Sequence, residues 1–107
     1  NGEIHELIET KAYQKFYMHK VGHWMGMDVH DVGSYGLNGD WRKYSPGMIT
    51  TIEPGIYFKE GLKNVPKEFI NIGIRIEDDV LVTEKNPEVL TSSVPKNIKD
   101  IEKIMES

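Results

Sequence analysis

With 107 residues, 38% of them hydrophobic and 28% charged, the chain has the make-up of a folded soluble domain, one domain at most, and disorder is excluded as a description of the whole. A net charge of -4 leaves no Lys/Arg excess to neutralise phosphates, so no nucleic acid partner is expected. There is no cysteine, which removes disulfides and thiolate ligands, and no apolar run approaches the ~18 residues of a membrane span, so no membrane contact and a cytoplasmic setting are expected.

The chain starts at Asn1 rather than Met, as an excised fragment or processed product would, and a cloning boundary would look the same. From Glu3 to about Lys15, the residues Ile4, Leu7, Ile8 and Ala12 fall at helical spacing and predict an amphipathic helix. His5 lies off that stripe and reads as a solvated surface histidine.

From Phe16 the period changes. Gly22, Gly26 and Gly33 interrupt any helix, while Met25, Met27 and Val29 alternate with Gly26, Asp28 and His30, which predicts a strand or extended loop. The segment SYGLNGDWRKYSPG gathers turn-forming residues and reads as a loop.

Met48 to Phe58 reads as a strand broken by Pro54 and Gly55 just after Glu53, and KEGLKNVPKEF as a second loop. INIGIRIEDDVLVTE then reads as a long strand or hairpin arm, with Ile72, Ile74 and Ile76 facing a core and Arg75, Glu77 and Asp79 on a polar face. After a turn at Asn86 and Pro87, the residues Ile98, Ile101, Ile104 and Met105 predict a closing amphipathic helix. Its lysines alternate with acids, the pattern of a solvated face.

Three of the four histidines, His19, His23 and His30, crowd into the span Met18 to Gly33. His19 and His23 are four apart, as in single-zinc proteases, yet Lys20 stands where that motif needs a Glu and Gly22 weakens a helix. They are therefore placed on a bend leading into a strand. A lone histidine is more often structural, but three so close together shift the weight towards a site.

Glu53 sits in an apolar strand, where a carboxylate is costly to bury unless it meets a cation. Glu77 shares that property and has Arg75 two residues away on the same face. A competing reading is a polar, solvent-facing sheet side with cross-strand pairs, which Asp78 and Asp79 fit better. One imidazole with two carboxylates suits Mn²⁺, Co²⁺, Fe²⁺ or Zn²⁺, and a pair of such ions supports metal-assisted hydrolysis.

The strings HKVGHWMGMDVHDVG, PGMITTIEPGIY and IGIRIEDDVLVTE resemble, in order and spacing, the C-terminal half of the catalytic domain of Xaa-Pro aminopeptidases, also called aminopeptidase P. The resemblance covers nearly the whole chain, and NVPKEFINIGIRIED is nearer to this branch than to prolidase. It implies an α+β fold, the C-terminal half of a pita-bread domain with a curved antiparallel sheet and flanking helices. Residues 1–107 would then be a partial catalytic domain lacking the upstream half and the N-terminal domain.

On the same resemblance His23, Glu53 and Glu77 match three of five ligands to a dinuclear centre, usually of two Mn²⁺ ions, with Co²⁺ or Zn²⁺ possible. Glu53 would also handle the proton of the attacking water. His19 and His30 match histidines that contact the substrate and stabilise the tetrahedral intermediate or leaving group, and Arg75 matches one that orders the carboxylates. The implied substrate is a peptide with an Xaa-Pro N-terminus, and the parent protein would be a homo-oligomer. The family's other two ligands are aspartates that would lie before Asn1, so the fragment alone is expected to be inactive or a weak metal binder and to self-associate. The alternatives are a metal-free pita-bread module that binds other proteins, which the retained His23, Glu53 and Glu77 argue against, and a small structural domain.

Overall fold

A computed structural model describes residues 2–106. The first helix, α1, covers only Ile4–Glu9 and is followed by a 3-10 turn over Ala12–Lys15. The break between them falls at Lys11, whose φ of 53° is left-handed, and the main-chain N–H groups of Thr10 and Lys11 close α1 on the carbonyls of Glu6 and Ile8. The predicted helix to Lys15 is thus two pieces.

The remaining elements are β1 (Gly36–Leu37), β2 (Asp40–Trp41), β3 (Ile49–Ile52), β4 (Gly55–Phe58), β5 (Ile72–Arg75), β6 (Asp78–Leu81), β7 (Glu88–Val89) and α2 (Ile98–Met105). They gather into two compact units. One unit joins the chain up to Lys20 with Pro54–Arg75, and the other joins Val21–Glu53 with the chain from Ile76 onward.

In the first unit β4 and β5 form an antiparallel ribbon in which Gly55 pairs with Arg75 and Tyr57 with Gly73. The Tyr57 ring lies across both glycines: a Cβ on Gly55 would come 2.6 Å from its hydroxyl, and one on Gly73 would come 2.7 Å from its Cδ1. Phe58 packs between Phe16 and Phe69 with ring centroids 5.6 and 5.7 Å away. The ribbon's outer face is exposed, so Ile72 and Ile74 do not form the core that their alternation predicts.

In the second unit β3 pairs with β6, placing Thr50 opposite Val80 and Ile52 opposite Asp78, and β7 extends the sheet beyond β6. The glycine-rich stretch after Val21 forms no regular strand. It runs along the free side of β3 through an isolated bridge between Trp24 and Thr50. The loop expected after Ser34 contains a small hairpin, β1 to β2, turned by Asn38 and Gly39 with φ of 54° and 90°, the Asn-Gly signature of a type I′ turn.

The predicted long strand from Ile70 is interrupted after Arg75. β5 belongs to the ribbon and β6 to the sheet, so Ile76 and Glu77 lie outside any strand. Asp78 and Asp79, which fit a solvent-facing sheet side in sequence, are half-buried. The Thr91 hydroxyl donates to Asp78 Oδ1 over 2.6 Å and the Lys96 ammonium sits 3.0 Å from the same oxygen, clasping the loop before α2 to β6.

Asn97 caps α2 by accepting the Lys99 N–H at 2.9 Å. Its apolar stripe, Ile98, Ile101, Ile104 and Met105, is exposed. Among the described residues no large apolar side chain is buried. The buried side chains are polar ones, Thr50, Thr51 and Glu53, clustered at the end of β3.

Candidate metal centre

The end of β3 is built by close approach of the histidine-bearing segment. Thr51 N–H donates to the His23 carbonyl at 3.0 Å, Glu53 N–H donates to the Val21 carbonyl at 2.7 Å, and Met25 N–H donates to the Ile49 carbonyl at 3.1 Å. Gly22 makes this approach feasible, since a Cβ there would lie 2.0 Å from the Thr51 carbonyl oxygen. His23 is thereby fixed beside Glu53.

Glu53 directly follows β3 and Glu77 directly precedes β6. Because Ile52 and Asp78 are the last pair of that ladder, the two carboxylates emerge at the same end of the sheet. His23, Glu53 and Glu77 each offer one ligand atom, and these atoms all lie within 4.8 Å of one another. Glu53 is 7% exposed, His23 half-buried and Glu77 exposed. The set is walled on one side and open on the other.

Hydrogen-bond logic fixes the protons. His23 Nδ1 is 2.9 Å from the Trp24 carbonyl, which can only accept, so Nδ1 carries the hydrogen and Nε2 presents a lone pair in the neutral ring. That Nε2 lies 3.1 Å from Glu53 Oε1. Two lone pairs at such a distance require a cation between or beside them, whether a proton or a metal ion. With Glu77 as third donor, a nitrogen and two carboxylates on one open-sided patch fit a divalent ion of the manganese, cobalt or zinc type.

His30 is exposed, and its ring centroid stands 4.4 Å from that of His23. It joins the edge of the same cluster. His19 and Arg75 meet in the first unit, on Tyr57: the tyrosine hydroxyl is 2.9 Å from His19 Nε2 and accepts the Arg75 Nε–H at 2.8 Å. His19 Nδ1 is 2.8 Å from the Lys20 carbonyl, so this ring too carries its hydrogen on Nδ1, and Tyr57 donates to Nε2. The Tyr17 ring packs edge-on against His19 at 4.8 Å.

Two residues of these clusters escape the sequence reading, Thr51 and Tyr57. Thr51 stands two positions before Glu53, so the strand period of two would have placed those two on one face. Beside the centre, Asp78 is held below its ordinary carboxyl value of 3.8, first by the Thr91 hydroxyl and then by the Lys96 ammonium.

Residues 1–84 match metallopeptidase family M24. The chain is 52% identical to an Xaa-Pro aminopeptidase of Haemophilus influenzae across 97% of its own length and 24% of that protein's. Among solved structures, aminopeptidase PepP of Pseudomonas aeruginosa superposes with a TM-score of 0.92 at 53% identity, and Escherichia coli aminopeptidase P with the inhibitor Pro-Leu superposes with 0.88 at 46%. Each comparison covers 99% of this chain and 24% of the other. The fold class, α+β of the pita-bread type, is that of these neighbours, and the chain spans about a quarter of the length of the curated relatives it matches.

Proposed function

The chain belongs to metallopeptidase family M24, and on that premise we propose that the protein carrying it is a metal-dependent aminopeptidase releasing the first residue of peptides whose second residue is proline. The observation that carries this reading is the convergence of His23, Glu53 and Glu77 on one patch whose lone pairs call for a cation. These three residues would hold the metal, proposed as a manganese pair that cobalt or zinc can replace. The remaining donors come from segments outside these 107 residues, and the isolated chain is inactive or binds metal weakly. When bound, the ions supply a Lewis acid for the scissile carbonyl and an activated nucleophile at neutral pH.

The chain's own residues do the rest. Glu53, buried and already accepting at Oε1, takes up the proton released during attack. His30, exposed beside His23, has a ring nitrogen available to hydrogen-bond the peptide or its departing amine. His19, steadied by Tyr57, Lys20 and Tyr17, is assigned to substrate contact on the family resemblance, while Arg75 positions Tyr57. A bond before proline has no N–H, so selection rests on shape and on the carbonyl.

No helix among the described residues is long and apolar enough to cross a membrane. A cytoplasmic setting is proposed as the default, with which the cysteine-free composition is compatible. The exposed apolar faces of the ribbon and of α2 support self-association of the isolated chain, and homo-oligomeric assembly of the parent protein is proposed from the family resemblance alone. The test is hydrolysis by the whole protein of an Xaa-Pro peptide and its Xaa-Ala counterpart, with and without Mn²⁺. Metal-dependent release from the proline peptide alone is expected. Equal rates on both peptides, or no dependence on metal, would refute the reading.

A further inference from the structure

We infer that Thr51 is a positioning residue of the metal centre, its hydroxyl holding the backbone of one ligand residue and the carboxylate of another at once. The inference rests on the assignment of His23 and Glu53 as metal-holding residues. Thr51 is fully buried, at 0% exposure, and its Oγ1 makes two bonds of opposite sense. It accepts the His23 N–H at 3.0 Å and donates to Glu53 Oε1 at 3.1 Å.

A hydroxyl has one hydrogen and two lone pairs. The His23 N–H occupies a lone pair, and the single hydrogen is committed to the carboxylate. The Thr51 backbone adds a third tie, its N–H donating to the His23 carbonyl. Both main-chain polar groups of His23 are therefore referred to residue 51, with Thr50 Oγ1 also reaching the His23 carbonyl at 3.0 Å.

The hydroxyl also selects which carboxylate oxygen faces the imidazole. Oε1 is the atom that takes the Thr51 hydrogen and the atom 3.1 Å from His23 Nε2, so rotation of the Glu53 carboxylate would sacrifice the bond to Thr51. Because Thr51 is itself fully buried, removing its hydroxyl takes a partner from both the carboxylate and the backbone N–H at a point that solvent does not reach. Ligands that must be reorganised at each binding event bind more weakly, and partners of this kind alter metal affinity by ~10- to 100-fold.

The experiment measures Mn²⁺ binding to the metal-stripped whole protein by titration calorimetry, comparing Thr51→Val, which replaces the hydroxyl by a methyl of similar size, with Thr51→Ser, which keeps it. Thr51→Val should lose ~10- to 100-fold in affinity, and Thr51→Ser should stay within about threefold of the unaltered protein. Equal Mn²⁺ affinity in Thr51→Val and the unaltered protein would overturn the inference, as would an equal loss in both variants. If Thr51→Val does not fold, Thr51→Ala takes its place beside Thr51→Ser: a loss of ~10-fold or more in Thr51→Ala but not in Thr51→Ser supports the role of the oxygen, and equal affinity in the two overturns it. Failure of the unaltered protein to bind Mn²⁺ would instead strike the assignment of the metal centre itself.

Discussion

Gly22→Ala changes one hydrogen into a methyl at the point where the histidine-bearing segment lies against β3. Gly22 is not among the residues with left-handed φ, so alanine adopts its backbone conformation without strain, and the cost is contact alone. The new Cβ would stand 2.0 Å from the Thr51 carbonyl oxygen, which is backbone and cannot rotate away. Either the segment retreats, straining or breaking the Glu53 to Val21, His23 to Thr51 and Thr51 to His23 bonds at ~0.5–1.5 kcal/mol each, or it stays and the surroundings distort at ~1–3 kcal/mol. The cheaper route prevails, so a loss of ~1–3 kcal/mol is expected in the urea midpoint at unchanged slope. Both routes move His23 relative to Glu53, so Mn²⁺ affinity should fall by ~10-fold or more. A control separates this from backbone strain: Gly39 has φ of 90° and open space around it, so Gly39→Ala should cost ~1–2 kcal/mol and leave Mn²⁺ affinity unchanged. A loss below about 0.5 kcal/mol in Gly22→Ala, with metal binding intact, would show that the segment does not press on β3 as described.

Glu53→Gln keeps the size and removes the charge and the basic oxygen, so hydrolysis of an Xaa-Pro peptide should fall by ~10²- to 10⁴-fold, read from kcat/KM. Tyr57→Phe leaves the ring across Gly55 and Gly73 and removes only the hydroxyl between His19 and Arg75. Stability should move by no more than about 1.5 kcal/mol while turnover drops by up to ~10²-fold, and unchanged turnover would deny these residues a common role. Asp78 has the lower carboxyl value in the folded state. Its contribution is therefore complete above about 3.8 and disappears as pH falls through the still lower folded value. Thr91→Val, which removes the largest cause of that lowering, should lose less stability between about pH 6 and about pH 3 than the unaltered protein does. Equal acid losses in urea unfolding would contradict the assignment.

The sequence carries the site more legibly than the fold. The crowding of His19, His23 and His30, and a glutamate embedded in each of two strand-like stretches, are chemical oddities that local pattern exposes. The structure brings His23, Glu53 and Glu77 together, with His30 at their edge. What local pattern does not expose is where a strand changes partner. The alternation from Ile72 to Glu77 is unbroken in sequence, yet hydrogen bonding to β4 stops at Arg75 and pairing with β3 starts only at Asp78. The first helix is shortened for a similar reason: apolar spacing continues to Ala12, but Lys11 adopts a left-handed conformation that periodicity does not register. In the loop after Ser34, the Asn38-Gly39 pair was a readable hairpin signal, obscured by flanking strands of only two residues.

His19 and His23 share a device: each ring surrenders its Nδ1 hydrogen to the carbonyl of the very next residue, Lys20 or Trp24. The anchoring atoms are peptide oxygens, which every amino acid supplies. Replacing the lysine or the tryptophan with another residue therefore leaves the tautomer intact, and drift at these neighbours proceeds without retuning the imidazoles. An inserted or deleted residue, by contrast, redirects the peptide plane and unlocks the ring at once, so this stretch tolerates changes of letter far better than changes of length.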